Sequence, residues 1–343
     1  MVISGGDGRA WALAGQNKIR IDSHQPSLNQ KLAKQIVFAA KAFKKDVHFS
    51  RNVWHDGGEM NLEVDTRQVT AVEIEVQKAY RAVFPRGDKT FVSQVFQWAR
   101  ECFEGNYKDY QAIDARYHDF EHTLQGTLCM ARLMQGRHAS KVAPPLTQRI
   151  FELGILAILL HDTGYLKKKD DVEGTGAKYT LTHVNRSVDF ADELLKEKGY
   201  LEKDIKAVQN MIRCTGVNVD LTGIPFQDDM ERIVGFGLGT ADLLGQMAAK
   251  DYVDKLPVLY SEFAESNRYN VGKGTATGMF MSAHDLMQKT PVFWEKYVQP
   301  KLDRDFQGVY RYLNFAFPNG ENFYLQRIEN NLALLRDRVP VSA

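Results

Sequence analysis

From Phe91 to Val339 apolar side chains recur at helical spacing in segment after segment, while the alternation expected of half-buried strands fades. Phe91–Phe103, Tyr117–Gln135, Leu146–His161, His183–Lys198 and Ile205–Thr215 each predict a helix. Glu231–Ala249, Pro257–Ser266, Ser282–Lys289, Pro291–Leu313 and Phe323–Val339 continue the pattern. The breaks fall where helices are hard to continue: Pro144-Pro145, Gly174–Gly176, Gly199 and Gly223-Ile224-Pro225. About ten helices around one buried seam make a helical bundle domain, assigned here to residues 89–343. Residues 1–88 read as a small α/β module. The first sixteen or so are Gly-rich and expected to be poorly ordered. Leu32, Ile36, Ala40 and Phe43 predict a helix over 28–45. Val47–Val53 and Met60–Val64 flank a His-Asp-Gly-Gly turn and predict a hairpin. Thr70–Val83 predicts a second helix, stopped at Pro85, and Pro85–Asp88 reads as the linker between the two domains. The fold class expected is mostly α, with this module at the N-terminus.

The bulk numbers narrow the function. A chain of 343 residues that is 44% hydrophobic can bury a large core without disulfides. Its formal charge of +1 gives no electrostatic footprint for nucleic acid or an anionic membrane. Cys102, Cys129 and Cys214 are few and widely spaced, which fits a reducing compartment and argues against a cysteine zinc site. Asn17, Lys18 and Arg20 interrupt the only N-terminal apolar stretch, so no signal peptide is expected. Leu153–Leu160, the longest apolar run, is too short to span a bilayer. The expectation is a cytoplasmic protein.

Within the helical half, four segments place metal-type ligands where the apolar pattern calls for core. Tyr117-His118-Asp119-Phe120-Glu121-His122 sets two histidines four residues apart, which on a helix would share a face. His161-Asp162 follows the apolar run Leu153–Leu160 and precedes a glycine turn. Thr182-His183 opens a helix, and Asp242 lies inside another, after Phe236-Gly237-Leu238-Gly239. Taken singly, such a histidine is more often a hydrogen-bonded core residue, and such an aspartate more often a cap. Together they need a common reason, because a buried, unpaired carboxylate costs several kcal/mol. A divalent cation supplies one by neutralising the acids and accepting neutral imidazole nitrogen.

The order His122, His161-Asp162, Asp242 resembles the metal signature of the HD superfamily, over about residues 100–265. The segment Tyr117–His122 is similar to the Tyr-His-Asn-x-x-His motif of the class I cyclic nucleotide phosphodiesterases, and Ala241-Asp242-Leu243 to their last metal aspartate. There are departures. Asp119 stands where those enzymes have Asn. Thr163-Gly164-Tyr165 follows the His-Asp pair where they carry a further histidine. Val184–Ala191, after His183, resembles a helix of bacterial HD enzymes whose histidine binds a second metal. No purine-clamping glutamine is identified.

The resemblance implies an HD-domain bundle with two divalent ions, for which Mn, Fe, Mg, Zn and Ni all suit the ligand chemistry. His122, His161, Asp162 and Asp242 would hold the first ion. Asp162 would bridge to a second supported by His183, and His118 would be the general acid that protonates the leaving oxygen after attack by metal-bound hydroxide. Asp119 or Glu121 would orient His118. Lys167, Lys168, Lys169 and Lys178 read mainly as a solvated loop, with one or two, or Arg213, available to a phosphate. His24, His48, His55, His138 and His284 are isolated. The substrate class implied is a nucleotide phosphoester, above all a cyclic nucleotide phosphodiester, with cyclic dinucleotides and nucleoside monophosphates as runners-up. Two readings from other classes stay open: a di-iron HD-type oxygenase and a nucleotide-binding sensor without turnover. The lack of any histidine between His183 and Asp242 counts against the oxygenase. The Tyr- and Phe-rich C-terminal helices suit core or a homodimer surface.

Overall fold

A computed structural model of the chain describes residues 63–217, 219–270 and 280–339, together with the backbone of three short strands before them. Contacts divide the chain into residues 1–53 and residues 54–343.

In the first unit β1 (Val2–Ser4), β2 (Ala10–Ala14) and β3 (Asn17–Ile21) form an antiparallel sheet in that order. Ala14 pairs with Asn17, so only Gly15-Gln16 joins β2 to β3. Two of the three strands thus come from the Gly-rich stretch expected to be poorly ordered. The missed signal is a two-residue connection led by glycine. The helix expected over 28–45 lies outside the described residues, as does the hairpin at Val47–Val53 and Met60–Val64 apart from its last two residues.

The second unit is helical. Its α-helices among the described residues are α1 (Val69–Val83), α2 (Phe91–Phe103), α3 (Phe120–Ala139), α4 (Gln148–Leu160) and α5 (His183–Glu197). They continue as α6 (Glu202–Arg213), α7 (Asp229–Met247), α8 (Tyr252–Tyr269), α9 (Ala283–Phe293) and α10 (Phe323–Arg338). No helix among the described residues is long and apolar enough to cross a membrane.

The division falls well before the linker expected at Pro85–Asp88. Val72, Val76, Ala79, Tyr80 and Val83 give α1 an apolar face that must be covered, and the helical unit covers it. Tyr80 donates from its hydroxyl to Glu152 Oε1 at 2.6 Å, and its ring lies 5.6 Å from that of Phe151. Pro85–Asp88 therefore joins two helices of one unit.

At the centre α4 packs against α3 and α7. Phe151, Leu153, Ile155, Leu156, Ile158, Leu159 and Leu160 of α4 are all buried. At about 1.5–3 kcal/mol each, these side chains contribute roughly 10–20 kcal/mol of gross transfer energy. That exceeds the several kcal/mol each that burying a charge can cost, so this helix can carry a His-Asp pair at its buried end. Helices α3 and α7 come together at Gly245, where a Cβ would stand 2.8 Å from the Gln125 carbonyl and the Gly126 nitrogen. Only glycine lets the backbones meet there. The crossing is one turn from both His122 and Asp242, which sets those two side chains opposite each other.

The helix expected over Pro291–Leu313 is broken up. After α9, π-helical turns at Trp294–Val298 and Lys301–Asp305 lead to a 3₁₀ turn at Val309–Leu313. Pro300 has no N–H to donate, so the regular ladder cannot run through it.

Candidate metal centre

The four sequence segments converge at the buried end of α4. Helix α4 stops at Leu160, which leaves His161 as its C-cap and Asp162 in the following turn. His161 Nδ1 lies 2.7 Å from the Ile158 carbonyl, which can only accept, so Nδ1 carries the proton and Nε2 faces inward. His183, the first residue of α5, is fixed in the same way, with Nδ1 donating to the Thr180 carbonyl at 2.6 Å. Its Nε2 is 3.9 Å from Asp162 Oδ1. Gly164 makes this arrangement reachable, because a Cβ there would stand 2.0 Å from the His183 carbonyl oxygen. The Gly164 N–H donates to Ser187 Oγ at 2.8 Å and ties the turn to α5.

His122 Nε2 lies 3.2 Å from Asp162 Oδ2 and 3.3 Å from Asp242 Oδ1, and His161 Nε2 lies 3.3 and 3.5 Å from the same two atoms. Ligand atoms of His122, His161 and Asp162 all fall within 4.8 Å of one another. His161 Nε2 and Asp162 Oδ2 are buried without a hydrogen-bond partner. Burial alone would push the His122 and His161 pKa values down, but the two carboxylates outweigh it, raising His122 to about 9 and His161 well above its usual range. For Asp162 and Asp242 burial acts upward, and the facing imidazoles overcome it and hold both acids low. At His183 burial wins and lowers the pKa, which favours the neutral imidazole. Two ionised carboxylates converging with imidazole nitrogens, two of their atoms orphaned, fit a divalent cation bound through mixed N and O ligands.

His118 is placed differently from the expectation. Asp119 has extended backbone and caps α3, accepting the His122 N–H at 2.8 Å. His118 therefore precedes the helix and does not share a helical face with His122. It still reaches the centre, its ring 5.3 Å from that of His122. Neither Asp119 nor Glu121 orients it: Asp119 is occupied as the cap, and Glu121 pairs with Lys255 at 2.9 Å and accepts from Thr66 Oγ1. The orienting carboxylate is Glu262 of α8, with Oε2 2.6 Å from His118 Nδ1 and Oε1 accepting the Tyr117 N–H at 2.7 Å. Gln246, one turn beyond Asp242, is a second residue the sequence reading missed. It accepts from Tyr117 Oη at 2.8 Å and donates to Asp242 Oδ1 at 3.3 Å. Its i, i+4 spacing from Asp242 was the available signal.

Of the loop lysines, Lys168 and Lys169 are exposed as expected, while Lys167 and Lys178 are drawn inward. Lys167 is buried, paired with Asp114 at 2.9 Å and donating to the Gly174 carbonyl. Lys178 pairs with Asp171, Lys168 lies over the Tyr110 ring, and Lys169 donates to the Lys108 carbonyl. Arg213 donates to Asn210 Oδ1.

This architecture is shared with solved phosphodiesterase domains. The chain is similar to two crystal structures of the phosphodiesterase domain of the rhodopsin phosphodiesterase from the choanoflagellate Salpingoeca rosetta. Each gives a TM-score of 0.53 at 16% identity, one covering 87% of this chain and 97% of its own, the other 88% and 94%. The chain belongs to the Npun_R2479-like family, whose sequence profile matches residues 64–316. No curated protein matches it.

Proposed function

We propose that this chain is an HD-type phosphohydrolase, dependent on two divalent cations, that cleaves a phosphoester of a nucleotide and above all a cyclic nucleotide phosphodiester. The observation that carries the reading is the buried convergence of His122, His161, Asp162 and Asp242 with orphaned Nε2 and Oδ2 atoms, on a fold shared with phosphodiesterase domains.

His122, His161, Asp162 and Asp242 would hold one cation, and Asp162 with His183 a second. Bound there, the cations would clamp a phosphate and supply an activated water. The protein's own part is proton delivery. With Nδ1 facing Glu262, Nε2 is the nitrogen from which the doubly protonated ring of His118 would give its proton. As water attacks phosphorus and the P–O bond to the leaving group breaks, that proton passes to the leaving oxygen. Such general-acid help is worth about 10²–10⁴-fold. Glu262 then holds the imidazole ring in place while the proton is replaced from solvent.

The test is a hydrolysis panel of cyclic mononucleotides, cyclic dinucleotides and nucleoside monophosphates, assayed with Mn²⁺, Fe²⁺ and Mg²⁺. Turnover of a cyclic mononucleotide supports the reading in full, and turnover of another panel member redirects the substrate class. Metal-loaded protein that binds nucleotides tightly but yields no product points to the sensor, and oxygen consumption by the Fe²⁺ form to the oxygenase.

A further inference from the structure

Tyr165 is fully buried in the turn after the His-Asp pair and takes no part in the chemistry above. Its ring centroid is 4.4 Å from that of His118, with 13° between the planes, and 4.7 Å from that of His183, with 21° between them. The two imidazole centroids are 6.2 Å apart. Both imidazoles thus stack near-parallel against the ring of Tyr165, each offset from its centre. Its hydroxyl is buried beside the Thr180 side chain without a well-formed hydrogen bond.

We propose that Tyr165 is a positioning residue whose aromatic face, not its hydroxyl, sets the plane and spacing of His118 and His183. Offset stacking fixes ring orientation, and the π face also favours a protonated imidazole over it. Glu262 and the Thr180 carbonyl each hold one edge of an imidazole and leave it free to tilt about that hydrogen bond. The tyrosine face removes the tilt from both at once. The proton donor and the ligand beside Asp162 are thereby kept in register by one side chain. This rests on the functional reading above, in which His118 protonates the leaving oxygen and His183 supports a cation.

The experiment compares full-length Tyr165→Phe and Tyr165→Leu with the unaltered protein by two readouts. The first is the ¹H–¹³C NMR of the histidine Cε1–H groups in cation-free protein, with His118 and His183 assigned from their Asn variants. Ring-current shifts at both are expected to persist in the Phe variant and vanish in the Leu variant. The second is steady-state kinetics with Mn²⁺ on a cyclic mononucleotide, whose alkoxide leaving group needs a proton. The Phe variant is expected to stay within about twofold of the unaltered kcat, and the Leu variant to lose about 10–100-fold in kcat with little change in KM. Should the Leu variant not fold, Tyr165→Met fills the space without a flat face. Unmoved histidine signals in a folded Leu or Met variant, or an undiminished kcat there, overturn the proposal. So does a Phe variant that loses as much as Leu, since the hydroxyl would then be the active group. If the unaltered protein turns over no phosphodiester, the functional reading fails, while the NMR readout still decides whether the ring holds the two histidines.

Discussion

His118 Nδ1 lies 2.6 Å from Glu262 Oε2, and the other oxygen of the same carboxylate takes the Tyr117 N–H at 2.7 Å. One buried acid thus fixes the ring of the proposed proton donor and the backbone of the residue before it. Burial acts to raise the Glu262 pKa, but the adjacent His118 outweighs it and holds the acid below its usual range. Glu262→Gln is expected to lower kcat about 10–100-fold while leaving the cation content intact. His118→Asn is expected to cost about 10²–10⁴-fold. Both losses should shrink on a diester with a nitrophenolate leaving group, which needs no proton. Kinetics on the two substrate types, with metal analysis of each variant, check this.

Gly164 is the contact that lets the turn bearing Asp162 reach the start of α5. A Cβ there meets the His183 carbonyl at 2.0 Å, so Gly164→Ala must push the two segments apart. Overpacking of this kind costs about 1–3 kcal/mol. A lower denaturation midpoint is expected, together with weaker binding of the second cation, since His183 moves away from Asp162. A variant with unaltered midpoint and cation stoichiometry would show that the segments are not held as described.

Cation binding should release protons. Burial lowers the His122 pKa, but Asp162 and Asp242 more than reverse this and raise it to about 9. At neutral pH the cation-free imidazole therefore carries a proton that a metal must displace. Affinity should rise with pH, by up to about tenfold per unit for each of His122 and His161, and the His122 share should level off as pH passes about 9. Titration calorimetry at pH 7 in two buffers of different ionisation enthalpy measures the release directly. A binding heat independent of the buffer would contradict it.

The helical half was readable because its apolar faces repeat. Helix α2 is found at the predicted Phe91–Phe103, and α10 ends within one residue of its expected limit. His161, Asp162 and Asp242 stood out because they interrupt apolar runs, and the structure brings them together with His122. What stayed hidden depended on partners distant in sequence. Glu262 sits in Ser261-Glu262-Phe263-Ala264-Glu265, which reads locally as an ordinary helix face, yet its partner is 144 positions away. Asp119 and Glu121 looked equally placed to orient His118 until one proved to be a helix cap and the other a partner of Lys255. Pro85–Asp88 has linker chemistry, and only the packing of Tyr80 against α4 shows that it lies within one unit.

The three cysteines should be inert in the native protein. Cys102, Cys129 and Cys214 are free and buried, and burial pushes each thiol up to about 12. At pH 8 almost no thiolate is present, and reagent has no access to it. Thiol titration of the native protein should be slow at all three and complete once denaturant is added. Rapid modification of any one in the native state would show a looser core around α2, α3 or α6.

On the proposed function, Asp162 anchors a metal-dependent phosphodiesterase centre. The most direct measurement is turnover of a chromogenic phosphodiester by protein stripped with chelator and then reloaded with Mn²⁺, for the unaltered chain and Asp162→Ala in parallel. Activity abolished by the chelator and restored by Mn²⁺ is expected in the unaltered chain. Neither activity nor stoichiometric cation binding is expected in a folded Asp162→Ala. Turnover that survives the chelator, or that Asp162→Ala retains, would contradict it.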